Sequence, residues 1–148
     1  PDLPSTLLHP ETLQAALVNL VKNALEAMPN GGRLVVRTRM TRGGVALDMI
    51  DDGCGMDEKT LFRMFDAFYS TKTNGTGLGL PTAKKIIEAH GGRIDVQSAV
   101  GVGTKFSLEF PVPARLTTHE PSGESASDAS STPTTIPSSE VDLGGAPV

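Results

Sequence analysis

Apolar residues recurring at steps of three and four define the first element of the chain. On a helix with 3.6 residues per turn these residues share one face, so the pattern predicts an amphipathic helix. Pro10 and Glu11 suit its first turn, and the PNGG run at residues 29–32 ends it. The apolar positions are Leu13, Leu17, Leu20, Ala24 and Met28.

Strand-like and helix-like patterns alternate from there to residue 111. Two strand-like runs, 33–40 and 45–51, are joined by TRGG, whose glycines suit a hairpin turn. The remaining patterns predict helices at 57–64 and 80–90 and strands at 93–98 and 104–110. This order predicts an α/β (α+β) two-layer sandwich, in which helices cover one face of a mixed, mostly antiparallel sheet.

The composition changes abruptly after Pro111. Residues 112–148 contain 7 Ser, 5 Thr, 5 Pro and 3 Gly and no aromatic residue. Such a segment buries too little apolar surface to offset the entropy lost on ordering. We therefore expect one folded domain over residues 1–111 and a disordered, acidic tail over residues 112–148.

The formal net charge of −4 lies entirely in this tail, because residues 1–111 carry 12 basic and 12 acidic side chains. A balanced domain is a poor general polyanion binder, and no apolar run approaches the roughly 18 residues of a membrane span. We expect no nucleic acid partner and no membrane contact by this domain. The single Cys cannot form an internal disulfide, which favours a cytoplasmic setting.

A chain that begins with Pro1, and that carries no basic-then-apolar signal segment, is expected to be a piece of a longer protein. The membrane anchoring of that longer protein is left open.

Three polar or glycine-rich clusters carry the candidate chemistry. The first, GTGLGL at residues 75–80, opens directly into a predicted helix, whose free N–H groups and positive dipole favour an anion such as phosphate. Simple helix capping is the alternative. The run matches neither GxGxxG nor GxxxxGK[ST], which excludes dinucleotide-binding and P-loop motifs.

The second cluster, DDGCG at residues 51–55, follows an apolar strand. A buried carboxylate there could accept a hydrogen bond from an exocyclic amine such as that of adenine, with glycines admitting a flat base. A plain acidic turn would look similar.

The third cluster lies on the polar face of the first helix, where Asn19, Lys22, Asn23 and Glu26 are spaced by three or four residues. Asn is a poor helix former, and an Asn carbonyl can supply one of the few protein oxygens that Mg²⁺ takes beside substrate phosphates. A solvated helix face is the alternative.

These clusters belong to five motifs in a fixed order. They are NLVKNALEA at 19–27, DDGCG at 51–55, FDAFYSTK at 65–72, GTGLGL at 75–80 and GVGTKF at 101–106. They resemble the N, G1, F, G2 and G3 boxes of the ATP-binding catalytic domain of sensor histidine kinases. The resemblance covers about residues 1–111 and is strongest to the nitrogen-regulator type, with a short lid between Lys72 and Gly75.

The resemblance implies the Bergerat fold of the GHKL superfamily, with ATP and Mg²⁺ held between helices and lid. Asn23 would act catalytically by coordinating Mg²⁺, with Asn19 beside it, and Lys72 would contact a phosphate. Asp51 would accept from the adenine amine, Gly53 and Gly55 would give the base room, and Thr104 would support the adenine site. The other nucleotide-binding positions implied are Met56, Gly75, Gly77, Leu78, Gly79 and Leu80. Phe65 and Phe68 would pack the hinge of the lid.

The resemblance also implies the reaction. ATPases of this superfamily carry a glutamate general base where this chain has Asn19, and an amide cannot accept a proton from water, so slow hydrolysis is expected. The γ-phosphate would instead pass to a histidine of a dimerisation domain upstream of Pro1, in a homodimer that serves a response-regulator receiver domain. His9, His90 and His119 do not fit the acceptor pattern. The alternative is a GHKL regulatory module, an ATPase or a serine kinase without histidine phosphotransfer.

Overall fold

The computed structural model describes residues 8–112 and 140–143, which form eight helices and strands. They are α1 (Pro10–Ala27), β1 (Gly32–Met40), β2 (Gly44–Asp51), α2 (Glu58–Arg63), α3 (Gly79–Ala89), β3 (Arg93–Ala99), β4 (Gly103–Pro111) and β5 (Glu140–Leu143). The strands and the two later helices predicted up to residue 111 are all present, with ends shifted by at most one residue. The α1 helix begins at the predicted Pro10 and stops before the PNGG run.

The sheet has the strand order β3-β4-β2-β1-β5, and β2 and β4 lie at its centre. Every pairing among the described strands is antiparallel, so the parallel part of the predicted mixed sheet is not found in them. The β2–β4 register places Asp51 opposite Thr104. The predicted two-layer α/β sandwich is confirmed.

The helices pack on one face of the sheet around a single core. Its largest fully buried side chains come from both layers: Leu20 of α1, Ile87 of α3, and Phe106 and Leu108 of β4. On α1, the predicted apolar face is buried from Leu20 onward, whereas its first two leucines are only half-buried. Burial of this face is what fixes the opposite, polar face of α1 in one orientation.

A hydrogen bond also joins the start of α1 to the end of α3. The backbone N–H of His9 donates to Nε2 of His90 over 3.1 Å, and Nδ1 of His90 lies 2.6 Å from the carbonyl oxygen of Ile86. The neutral tautomer with its proton on Nδ1 satisfies both contacts. The two helices are thereby tied at the end remote from α3's first turn.

The fifth strand was not predicted. Glu140–Leu143 pairs with the outer edge of β1, with Gly32 opposite Leu143 and Val35 opposite Glu140. An edge strand presents unpaired N–H and C=O groups that any extended segment can pair with, whatever its side chains, so composition carries little signal for it. The other residues of the predicted tail, 113–139 and 144–148, lie outside the described residues, as do residues 1–7.

Leu20→Ala is expected to lower the free energy of unfolding by about 2–5 kcal/mol, because it removes a fully buried side chain between the two layers. Val18→Ala, on the exposed side of the same helix, should change it by no more than about 0.5 kcal/mol. Urea denaturation of the two variants checks this. Equal effects would show that α1 does not pack as described.

Candidate nucleotide-binding site

A cavity of about 360 Å³ opens between α1, α2, the first turn of α3 and the segment that follows β2. Ten of the thirteen residues predicted to bind the nucleotide line it, although they come from four separate stretches of sequence. They are Asn19, Asn23, Gly55, Met56, Lys72, Gly75, Gly77, Gly79, Leu80 and Thr104. Three predicted residues, Asp51, Gly53 and Leu78, do not line the cavity.

One wall of the cavity is the polar face of α1. Asn19, Lys22, Asn23 and Glu26 all line it, while Leu20 on the adjacent, apolar face of the helix is buried in the core. Lys22 and Glu26 were recognised on this face from their spacing but were not predicted as binding residues. Helical periodicity was therefore a sufficient signal for them.

The ammonium group of Lys72 lies next to the Asn23 oxygen that is predicted to bind Mg²⁺. Nζ of Lys72 lies 3.3 Å from Oδ1 of Asn23 and forms an ion pair with the carboxylate of Glu26. Among residues 8–112 and 140–143, no group of three or more His, Cys, Asp or Glu side chains could hold a metal by itself. A single amide oxygen at the wall of this cavity fits Mg²⁺, which keeps several waters and completes its shell with substrate phosphates.

Asp51 lies just behind the wall of the cavity and is 5% exposed. Its Oδ1 accepts two backbone hydrogen bonds, from Gly53 N–H over 2.9 Å and from Thr104 N–H over 3.2 Å. Its Oδ2 has no donor among the described residues. The carboxylate is thus fixed in place through one oxygen and keeps the other as an acceptor, as recognition of an exocyclic amine requires.

Burial is the main influence on the acidity of Asp51. Desolvation raises its pKa above the ordinary value of 3.8, the hydrogen bonds from Gly53 and Thr104 oppose this, and the neighbouring charge of Asp52 adds a smaller rise. The ionised form is therefore held in the empty domain at a cost in stability. A ligand N–H group on the carboxylate would reduce that cost.

Gly53 does not line the cavity. A Cβ at this position would lie 2.8 Å from Cβ of Ala27, so the missing side chain lets the strand end approach α1. Gly55 does line the cavity, but a Cβ there would lie 2.0 Å from the carbonyl oxygen of Ala99. Both glycines permit close packing of this segment against its neighbours.

Thr104 belongs to a small hydroxyl network beside Asp51. Its Oγ1 lies 2.9 Å from Oγ of Ser98, and that same Oγ accepts the backbone N–H of Met56 over 2.8 Å. The network fixes the backbone of Met56 at the cavity wall. Ser98 lies in no motif, so nothing in the sequence singled it out.

The first turn of α3 points its unpaired N–H groups toward the cavity, where Gly79 and Leu80 lie. A Cβ on Gly79 would come 3.8 Å from Oδ1 of Asn19, so this helix start directly faces the polar side of α1. Leu78 does not line the cavity. Its N–H donates to Oγ1 of Thr76 over 3.4 Å, and its side chain is 40% exposed.

A loop between α2 and α3, residues 69–76, contains the predicted lid and is here called the lid loop. Its ends are joined, because Phe68 N–H donates to the carbonyl oxygen of Gly77 over 2.9 Å. Both residues have positive φ, 66° and 69°. A Cβ on Gly77 would also meet the Phe68 carbonyl carbon at 2.4 Å, so this base of the loop requires glycine.

Of the two phenylalanines expected to pack the hinge, only one does so. Phe65 is half-buried against the core, with Nζ of Lys84 4.9 Å from its ring centroid. Phe68 is 79% exposed, so its predicted packing is wrong. Its left-handed backbone turns the side chain outward while its N–H closes the base of the loop.

Further residues line the cavity without having been predicted. The ring of Tyr69 lies under the guanidinium of Arg63, 4.3 Å from the ring centroid, and its hydroxyl is 3.4 Å from Oγ1 of Thr60. Loop and turn side chains such as these have no periodicity from which to predict them. The others are Ala27, Cys54, Met64, Ser70, Thr71, Asn74, Thr76 and Pro81.

The described histidines lie away from the cavity. His9 and His90 contact each other at the far end of α1 and α3, and neither lines the site. His119 lies outside the described residues. Among the described helices, none is long and apolar enough to cross a membrane.

Comparison with protein families places almost all of this structure in one group. The sequence profile described as histidine kinase-, DNA gyrase B- and HSP90-like ATPase matches residues 9–114. The match begins just before α1, ends just after β4 and includes every wall of the cavity.

Individual relatives point the same way. Sporulation kinase E of Bacillus subtilis is 42% identical over 112 residues, which are 75% of this chain but 15% of that protein. The mycobacterial sensor histidine kinase MprB has a TM-score of 0.64 at 29% identity, covering 72% of this chain and 74% of that one. Full-length ShkA in complex with AMPPNP has a TM-score of 0.64 at 32% identity, covering 74% of this chain and 23% of that one.

Asp51→Asn is expected to leave the empty domain as stable as the wild type or more stable at neutral pH, because the amide keeps the Oδ1 acceptor and removes a buried charge. Since the pKa of Asp51 is raised on folding, its protonated form is favoured in the folded state, and the cost of ionisation appears as pH rises. The difference should therefore shrink as pH falls. Thermal unfolding of both proteins at neutral and acidic pH measures it.

The exposed neighbour Asp52 provides the matched control. Its Oδ1 accepts the Arg33 N–H over 2.8 Å and lies outside the cavity, so Asp52→Asn preserves an acceptor in the same way. This variant should bind nucleotide like the wild type, whereas Asp51→Asn should bind none that is detectable. Normal nucleotide binding by Asp51→Asn would contradict the role given to Asp51.

Proposed function

This chain belongs to the histidine kinase-, DNA gyrase B- and HSP90-like ATPase family, and we propose that it serves a two-component sensor histidine kinase as its ATP-binding catalytic domain. The observation that carries the proposal is the convergence of the five motifs on one cavity. Family membership alone leaves several reactions open. Because the chain spans 15% of sporulation kinase E and 23% of ShkA, the activity of the whole protein is part of the proposal.

The two ends of ATP are assigned by the chemistry of the walls. Adenine lies beside Asp51, whose free Oδ2 accepts from the exocyclic amine, with Met56 and Thr104 alongside. The phosphates lie at the first turn of α3, where the N–H groups of Gly79 and Leu80 stabilise negative charge. The structure of ShkA, a relative in fold, is a complex with AMPPNP, which supports a nucleotide as the ligand of this chain.

Asn23 of α1 and Lys72 of the lid loop act on the phosphates. Mg²⁺ supplies charge neutralisation on the phosphate oxygens, and the Asn23 amide oxygen, with Asn19 nearby, would hold it. Lys72 contributes a point charge from the lid loop. Gly75 and Gly77 let the loop fold tightly on itself, because a Cβ would lie 2.0 Å from Oγ of Ser70 at the first position and 2.4 Å from the carbonyl carbon of Phe68 at the second.

At the start of α3 the polar face of α1 carries Asn19, whose amide cannot accept a proton from water, in place of the glutamate general base that ATPases of this superfamily carry there. The domain therefore holds ATP for an external nucleophile. A histidine ring nitrogen of the upstream dimerisation domain attacks the γ-phosphorus. The N–P bond forms as the bond to the bridging oxygen breaks, ADP leaves, and the displaced ring proton passes to an acidic neighbour or to solvent.

The remaining partners follow from the same assignment. The phosphohistidine passes its phosphoryl group to a response-regulator receiver domain, and the full-length protein acts as a homodimer. This domain works in the cytoplasm, where ATP is available. None of these roles requires a nucleic acid or membrane surface on the domain.

Asn23→Asp is expected to abolish detectable phosphotransfer, because the new carboxylate adds negative charge beside the phosphates and pairs with Lys72. Labelled ATP incubated with the full-length protein, followed by detection of acid-labile phosphohistidine, measures this. Asn30→Asp makes the same change at an exposed position outside the cavity and should label normally. Wild-type protein that binds ATP but labels no histidine would favour the regulatory, ATPase or serine-kinase alternative.

Deletion of residues 112–148 is expected to leave nucleotide affinity within a few-fold of the wild-type value, since the residues of this segment that the structure describes, 112 and 140–143, do not line the cavity. The comparison is an ATP titration of the full-length protein with and without this segment. Complete loss of binding would show that the domain extends beyond residue 111.

A further inference from the structure

The ion pair between Lys72 and Glu26 joins the lid loop to α1 across the mouth of the cavity. The same Nζ lies 3.3 Å from Oδ1 of Asn23. The two residues are far apart in sequence, and their side chains are 41% and 39% exposed. One lysine therefore binds at once the acidic residue of α1 and the amide oxygen one turn before it.

The Asn23 oxygen and the Lys72 ammonium group are both needed elsewhere when nucleotide is bound. The Asn23 oxygen is the proposed metal ligand, and Lys72 itself is the proposed phosphate contact. An ammonium group and Mg²⁺ cannot occupy the same side of one amide oxygen. Nucleotide binding thus requires Lys72 to leave Asn23 and Glu26.

We propose that Glu26 is a positioning residue that holds the lid loop against α1 in the empty domain and competes with nucleotide for Lys72. The inference rests on the proposed function, since it takes the ligand to be a nucleotide polyphosphate. When ATP enters, Lys72 exchanges the Glu26 carboxylate for phosphate oxygens, and Asn23 is released to the metal. Glu26 then has no partner of opposite charge among the residues that line the cavity, except Lys22 on its own helix face.

The expected effect is modest. An ion pair whose two side chains are about two-fifths exposed is screened by solvent, and such pairs change an equilibrium by up to about five-fold. Glu26→Gln should therefore bind ATP about two- to five-fold more tightly than the wild type. This direction is unusual, since most substitutions in a binding site weaken binding.

A matched control is available on α3. Glu88 pairs with Lys84 over 3.9 Å at similar exposure but lies outside the cavity. Glu88→Gln removes the same charge and should leave ATP affinity unchanged. Titrations of the full-length protein with fluorescent ATP in the presence of Mg²⁺ compare the two variants with the wild type.

Testing Glu26→Gln in Lys72→Met protein distinguishes the proposed competition from simple repulsion between Glu26 and the phosphates. In Lys72→Met protein the ion pair is already absent, so adding Glu26→Gln should produce no further gain in affinity. Repulsion between Glu26 and the phosphates would produce the same gain with or without Lys72. An equal gain in both backgrounds would overturn the proposal.

Cys54 gives a readout that needs no nucleotide. It is the chain's only cysteine, it is exposed, and it lines the same cavity as Lys72. Releasing the lid loop should raise its rate of alkylation in the empty protein, in both Glu26→Gln and Lys72→Met, and not in Glu88→Gln. Peptide mass spectrometry of Cys54 after timed exposure to iodoacetamide measures the rate.

The outcomes distinguish this inference from the proposed function. If the wild type fails to bind ATP, the proposed function fails, and the alkylation rates still test the contact between Lys72 and Glu26. If the wild type binds ATP but Glu26→Gln weakens or does not change binding, or leaves alkylation unchanged, only the present inference is overturned. Thermal unfolding of each variant confirms that the fold is intact.

Discussion

The pairing of β2 with β4 at the centre of the sheet is the constraint on which the site depends. Its register places Asp51 opposite Thr104, so that a buried carboxylate receives a backbone N–H from the neighbouring strand and another from Gly53. Burial without those donors would favour the neutral acid. The sheet thus supplies both the position and the ionisable acceptor at the proposed adenine end.

Packing of helix α1 in the core fixes the side chains at the proposed phosphate end of the cavity. Its apolar face, centred on Leu20, is fixed between the layers, and this fixes Asn19 and Asn23 toward the cavity. The start of α3 then lies next to Asn19, which brings helix N–H groups and amide oxygens together at the proposed phosphate site. A polyanion site can therefore exist on a domain without a positive charge excess.

The periodic parts of this structure were predictable from sequence and the irregular parts were not. Helices and strands up to residue 111 repeat their apolar residues at fixed intervals, and the five motifs located most of the cavity wall. Glu140–Leu143 was missed because edge pairing uses backbone groups, which composition does not report. Phe68 was assigned wrongly because its left-handed backbone, rather than its residue type, decides where the side chain points. Leu78 and Gly53 do not line the cavity, and nothing in their motifs shows that the Leu78 N–H meets Thr76 or that the absent side chain of Gly53 permits packing on Ala27.

The hydrogen bond between Phe68 and Gly77 has a consequence for the length of the lid loop. Because the ends of the loop are already held together, the entropy of closing it rises only with the logarithm of its length, by about 0.6 kcal/mol for each doubling. Insertions between these two residues would leave the walls formed by α1, β2 and β4 unchanged. The fold can thus accept lid loops of very different length over one ligand site. The sequence of the lid loop can change while the residues of the site beneath it are retained.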